Sequence, residues 1–176
     1  MSKFILLMCL AALISTAAAQ IDVSQAFFPS GTFGDWGDVT LEEARSEDSP
    51  SPPECIRISY SAAQSQSQGY AGICWQYPDS NMGDLPGQDL TGSTALTFWA
   101  RGEIGGEQAE FSVGGATDFL PERSTGVVSL SPDWQQFTIP LEGMDLSSVI
   151  NGFCWRTTKD HNPYGCTVYL DDILYQ

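Results

Sequence analysis

The sequence predicts an all-β antiparallel sandwich, and three observations carry that expectation. Apolar and polar residues alternate over short runs, as in half-buried strands, at 56–60, 96–101, 109–113 and 137–141. Turn clusters such as Ser49-Pro50-Ser51-Pro52-Pro53, Asn81-Met82-Gly83-Asp84 and Gly105-Gly106 punctuate those runs. No long helical period interrupts them, and the single helical turn expected lies near residues 145–149. With further strands at 70–77, 126–130 and 167–174, this gives roughly eight to ten short strands, the content of two packed sheets.

The first segment reads as a signal rather than as structure. Lys3 supplies a positive start, residues 4–14 are apolar, and Ala17-Ala18-Ala19 gives a small-residue cleavage pattern. The apolar run is too short to span a bilayer, which argues against membrane insertion. Residues 1–19 are therefore expected to be a signal peptide and 20–176 one β-sandwich domain, secreted to the extracellular side. Export removes Lys3, so 6 basic residues face 22 acidic ones, a net charge of −16 against −15 for the whole chain. Such an acidic protein repels phosphate backbones, so nucleic acid is excluded as a partner.

Four cysteines follow the signal: Cys55, Cys74, Cys154 and Cys166. An even number in an exported chain favours disulfides, and the single histidine argues against a zinc site. Four cysteines allow three pairings. Aligning 56–60 with 70–77 as a hairpin sets Cys55 opposite Cys74 and puts Ile56, Ile58, Ile73 and Trp75 on one core face. Cys154 and Cys166 flank the polar stretch 157–165, so the expected bridges are Cys55–Cys74 and Cys154–Cys166.

The residues of catalysis are not assembled in the sequence. His161, the only histidine, sits in a Lys-Asp-His-Asn-Pro loop and reads as a solvated turn residue. Neither Gly-x-Ser-x-Gly nor His-Glu-x-x-His occurs, and the Glu-x-Asp-x-Glu strand motif of jelly-roll glucanases is absent. A non-enzyme is expected.

Two features do carry chemistry. Asp35 and Asp38 lie in the glycine-punctuated Gly31-Thr-Phe-Gly-Asp-Trp-Gly-Asp segment, and Asp171-Asp172 interrupt an apolar strand. Carboxylates are the oxygen ligands that Ca²⁺ takes, and one inside an apolar strand needs a cation, backbone N–H groups or solvent. These four aspartates are the candidate calcium ligands, Asp172 foremost. The second feature is aromatic. Alternation that buries Leu96, Phe98 and Ala100 turns Trp99 and Arg101 outward. A ring for the apolar face of a sugar, with Arg, Gln and Glu for its hydroxyls, makes a site that needs no net charge. Gln76, Glu110, Arg156 and Trp36 complete that candidate set, with Tyr77, His161 and Tyr164 at its rim. Packing under loops is the alternative for each ring, and Trp75, Trp134 and Trp155 read as core.

The runs Thr94-Ala-Leu-Thr-Phe-Trp-Ala-Arg-Gly, Glu110-Phe-Ser-Val-Gly, Trp134-Gln-Gln-Phe-Thr-Ile-Pro-Leu and Val168-Tyr-Leu-Asp-Asp-Ile, in that order, resemble the galactose-binding-like jelly roll. Many non-catalytic carbohydrate-binding modules of secreted polysaccharide-degrading enzymes share the pattern. The resemblance implies a structural calcium near the first and last strands, which picks out Asp172. It also implies sugar binding on a concave sheet face or at end loops. Such modules commonly accompany a catalytic domain, whereas this sequence ends at Gln176, so self-association enters as an expectation. The function expected is a secreted, non-catalytic carbohydrate-binding module for a polysaccharide or glycan. The alternative is a structural or self-assembling cell-surface or matrix protein.

Overall fold

The computed structural model describes residues 20–45, 49–114 and 122–176; the expected signal peptide lies outside them. Among these residues the strands are β1 (Ile21–Asp22), β2 (Phe28–Gly34), β3 (Val39–Arg45), β4 (Cys55–Tyr60), β5 (Tyr70–Gln76), β6 (Ala95–Gly102), β7 (Gln108–Val113), β8 (Arg123–Ser129), β9 (Gln135–Pro140), β10 (Asn151–Thr158) and β11 (Cys166–Tyr175). They form two antiparallel sheets, ordered β3-β4-β11-β6-β9, with β1 beside β11, and β2-β5-β10-β7-β8. From β4 onward every connection except β7–β8 passes from one sheet to the other, as in a jelly roll. The expected antiparallel sandwich is the fold observed.

Alternation explains why these segments are strands. In β6, Leu96, Phe98 and Ala100 are sealed from solvent, while Trp99 and Arg101 are half-buried on the outer face. The buried residues of both sheets make one cluster, centred on Trp75, Trp155, Phe98, Phe111 and Phe153. Phe98 lies 4.8 Å from Phe111 and 5.1 Å from Phe153, centroid to centroid. Trp75 meets Phe153 edge-on at 5.5 Å. Truncating a buried aromatic of this kind costs roughly 3–5 kcal/mol. Trp75 and Trp155 are core, as expected. Trp134 is not: it is half-buried on the outer surface, beneath Arg101.

The expected β4–β5 hairpin does not form. β4 pairs with β3 and β11, and β5 pairs with β2 and β10 in the other sheet. Ile56, Ile58, Ile73 and Trp75 do share the core, but they enter it from opposite sheets. Alternation fixes which face of a strand is buried, not which strand lies beside it.

The cysteine pairing is corrected for the same reason. Cys74 and Cys154 are direct partners across the β5–β10 ladder, with Cα atoms 4.1 Å apart, and they form the disulfide. Cys55 and Cys166 lie at opposite ends of β4 and β11, since Cys166 pairs with Tyr60 and Leu170 with Ile56. They are too far apart to bridge and take no part in this disulfide. Residues 145–149 form a turn, in which Asp145 accepts the N–H and hydroxyl of Ser147. The single α-helical turn among the described residues is α1 (Val23–Ala26), capped by Asp22 through the Ser24 N–H at 2.8 Å. No described helix is long and apolar enough to cross a membrane.

Candidate functional site

The outer face of the β2-β5-β10-β7-β8 sheet has a low centre and raised flanks. Outward positions on the central strands carry Gly72, the Cys74–Cys154 bridge and Ser112. One row crosses the sheet in register: Phe33, Gly72, Arg156, Glu110, Val127. Gly72 has no side chain, and the Phe33 ring fills the space that a Cβ there would occupy. Tyr70 stands beside it, 6.4 Å from Phe33 and tilted by 45°. The Arg156 guanidinium lies 5.2 Å from the Tyr70 centroid, and its Nη1 is 3.8 Å from Glu110 Oε2.

A long, partly exposed ion pair of this kind contributes only about 0–1 kcal/mol. Both groups are therefore available to exchange each other for a ligand's hydroxyls at little cost. His161 and Thr158 line a small cavity of about 90 Å³ with Arg156 and Glu110. The row, with Tyr70 beside it, thus offers two rings for apolar contact, one strong donor and one strong acceptor.

Gln76, on the same face, is fully buried and has a different role. Its Nε2 donates to the Asn81 carbonyl at 3.1 Å and to Asn151 Oδ1 at 3.0 Å. It ties β5 to β10 and to the 77–81 turn. Trp36 lies in the 3-10 turn after β2, at the Tyr70 end of the sheet, where the Asp35 N–H donates to the Tyr70 carbonyl at 2.7 Å. It is 56% exposed. Tyr77 packs edge-on against Phe27 at 6.2 Å.

The sequence-predicted sugar set is divided between two faces. Trp99 and Arg101 point from the opposite sheet, away from Glu110 and Arg156. There Arg101 sits 3.9 Å from the Tyr169 ring centroid and 5.4 Å from that of Trp134. Arg57 Nη1 donates to Glu42 at 2.7 Å, and Tyr169 Oη donates to Glu103. The Arg57 hydrogen bond holds the Glu42 carboxyl below its ordinary value. Glu42, Arg45 and Arg57 on this face are committed to one another, and Arg101 to the Tyr169 and Trp134 rings. Phe33 and Tyr70 were not singled out in the sequence, because Gly31, Gly34, Gly69 and Gly72 around them erase the alternating pattern.

The four aspartates meet different surroundings. Asp35 is sealed, and its Oδ1 accepts the N–H groups of Gln66 and Gln68 while Oδ2 accepts that of Gly69, at 2.7–3.0 Å. Burial pushes its carboxyl up, but those N–H groups and the Lys159 charge outweigh burial and hold it below its usual value. Asp38 accepts the Gln64 N–H at 2.6 Å and the Ser65 hydroxyl. Asp171 accepts the Ser51 and Asp172 N–H groups and the Ser49 hydroxyl. Donor hydrogens face these three carboxylates, surroundings that suit an anion and oppose a cation. They do not fit as calcium ligands.

Asp172 differs. It sits at a bulge with φ 45°, beside a cavity of about 500 Å³ that Asp22, Glu43 and Glu54 also line. Burial, then the charges of Asp171 and Asp22, push its carboxyl up. A cation would relieve that repulsion at Asp172, whereas Asp22 Oδ1 already accepts the Ser24 N–H and hydroxyl. No group of three or more His, Cys, Asp or Glu placed to hold a metal occurs among the described residues.

No protein-family model matches the chain, and no curated protein matches it in sequence. Solved structures do match in fold. The chain is similar to a family 30 carbohydrate-binding module, at 19% identity and a TM-score of 0.63 over 90% of this chain and 99% of that one. It is similar to the family 11 carbohydrate-binding module of a cellulosomal cellulase of Clostridium thermocellum, at 13% identity and a TM-score of 0.56 over 91% and 95%. An exo-β-agarase also matches, at 13% identity and a TM-score of 0.59, over 88% of this chain but 25% of that enzyme. The fold is that of carbohydrate-binding modules.

Proposed function

We propose that the protein is a secreted, non-catalytic carbohydrate-binding module, and that a neutral polysaccharide lies along the outer face of the β2-β5-β10-β7-β8 sheet. The Phe33-Gly72-Arg156-Glu110-Val127 row carries this reading. Phe33 and Tyr70 offer ring faces to the C–H faces of sugar units, while Arg156 donates to and Glu110 accepts from their hydroxyls. Contact with an extended chain needs a long, shallow surface; the disulfide and Ser112 keep its middle low, and the Phe33 ring covers the floor at Gly72. The reading draws support from two structural neighbours: a family 11 module in complex with a β-1,3-1,4-mixed-linked tetrasaccharide and another module in complex with β-1,4-galactotriose. From the sequence-predicted set it keeps Glu110, Arg156 and, at the end of the trough, Trp36. Calcium is proposed only at Asp172, where it would neutralise carboxylates beside β11.

Affinity electrophoresis through gels containing mixed-linked β-glucan, galactan, agarose or xylan tests the proposal. Retardation by at least one polysaccharide is expected. Arg156→Ala should abolish it, and Trp99→Ala should leave it unchanged. Failure of all four to retard a folded protein would contradict sugar binding.

A further inference from the structure

The turn that follows β10 adds a pocket to the sheet face that the strands alone would not form. Asn162, buried in that turn, donates from Nδ2 to the Gln108 carbonyl at 2.7 Å and to Thr157 Oγ1 at 2.6 Å. Its Oδ1 accepts the Gln108 N–H at 3.2 Å, and the His161 N–H donates to Thr158 Oγ1 at 3.2 Å. These bonds hold the turn against the start of β7, so His161 is a fixed wall beside the row. The cavity between turn and row measures about 90 Å³ and is lined by Glu110, Val127, Arg156, Thr157, Thr158 and His161. Val127 is half-exposed, and the Arg156 and Glu110 side chains keep 45% and 21% of their surface open to solvent. All three therefore meet an incoming group.

Size and chemistry narrow what that group is. A water takes about 30 Å³, so the cavity has room for only a few. A whole ring does not enter, because pockets that enclose a ligand of that kind start near about 300 Å³. A substituent projecting from a ring on the trough does. Val127 supplies an apolar surface, Arg156 a donor and Glu110 an acceptor. A hydroxymethyl group has no use for the apolar wall and leaves much of the space empty. A carboxylate is opposed by the Glu110 charge.

We propose that the pocket takes the acetamido group of a 2-acetamido sugar, so that the trough prefers a chain of N-acetylated amino sugars to the plain glucan of the same linkage. The methyl rests on Val127, the amide carbonyl accepts from Arg156, and the amide N–H donates to Glu110. The inference rests on the sheet-face reading above and names the class of sugar that this face selects.

Calorimetric titration of the full chain with cellohexaose and with N-acetylchitohexaose tests it, since the two share length and β-1,4 linkage and differ only at the second carbon. The acetylated chain should bind on the order of tenfold tighter, because the plain one leaves the pocket groups unpaired. Val127→Phe adds bulk at a half-exposed position on an edge strand and should erase the preference. His161→Ala removes the wall without adding bulk; it should reduce the preference, and it decides the outcome if Val127→Phe binds neither chain. Equal affinities, or tighter binding of the plain chain, would overturn the pocket and leave the module function standing. So would a preference that survives both substitutions, or a polysaccharide that retards the protein while neither hexasaccharide binds. If nothing retards it and nothing titrates, both readings fail.

Discussion

Phe33 and Gly72 face each other across the β2–β5 ladder, and the ring of one occupies the place where a side chain of the other would stand. The pairing lays an aromatic plane over the floor of the trough at Gly72. Gly72→Ala must push that ring aside, at a cost of about 1–3 kcal/mol in stability for overpacking. Losing a stacked ring from the ligand weakens binding on the order of tenfold. Calorimetry with the bound polysaccharide should show the loss while circular dichroism stays that of a β protein. Unchanged affinity would remove Phe33 from the site.

The Cys74–Cys154 bridge closes a loop with a sequence separation of 80 between two hydrogen-bonded neighbours. A loop of that size contributes about 4.5 kcal/mol in the chain-entropy model. Reduction, or replacement of both cysteines by alanine, should lower the denaturant midpoint accordingly. Cys55→Ala with Cys166→Ala should leave the bridge intact, and peptide mapping under non-reducing conditions checks the connectivity.

Asp35 gathers three backbone N–H groups from the 66–69 turn and is the anchor of that loop. Its carboxyl is held below its ordinary value, so its stabilisation is fully present above an unfolded value of about 3.9. That stabilisation disappears as pH falls below this value and through the lower folded one. Asp35→Asn should melt at lower temperature than wild type at pH 7, with the gap closing as pH falls below about 3.9 and through the lower folded value. A gap that persists in acid would mean that the charge is not what the loop uses.

Asp172 carries the opposite sign. Its folded value is raised, so its ionised form opposes folding once pH rises above the unfolded value. A chelator should lower the melting temperature of wild type if a cation sits there, and calcium should restore it. Asp172→Asn should erase that response and, without metal, melt above the wild type at pH 7. Melting curves indifferent to both chelator and calcium would rule the cation out.

Alternation made β4, β6, β7 and β9 legible because each buries one face and wets the other. β10 was not named as a strand. Asn151 through Trp155 are all buried, and the outward Cys154 is sealed by its bridge, so no alternation survives. Partner choice was not legible at all: Cys55 opens β4 and Cys74 lies near the end of β5, places that would face each other in a hairpin, yet those strands belong to different sheets. Half of the candidate site was visible, through the charges of Glu110 and Arg156. The rest needed the fold, since Trp99 and Arg101 obey the same outward rule but on the other side of the molecule. The surroundings of the aspartates were not legible either, because a sequence does not reveal that the 64–69 turn directs its N–H groups at Asp35 and Asp38.

Backbone-amide shift mapping with the polysaccharide that retards the protein most is the direct measurement of where the sugar lies. The largest perturbations should cluster at Phe33, Tyr70, Gly72, Glu110 and Arg156, with Trp99, Arg101 and Tyr169 unmoved. Perturbations confined to Trp99, Arg101 and Tyr169 would place the ligand on the other sheet and contradict the account.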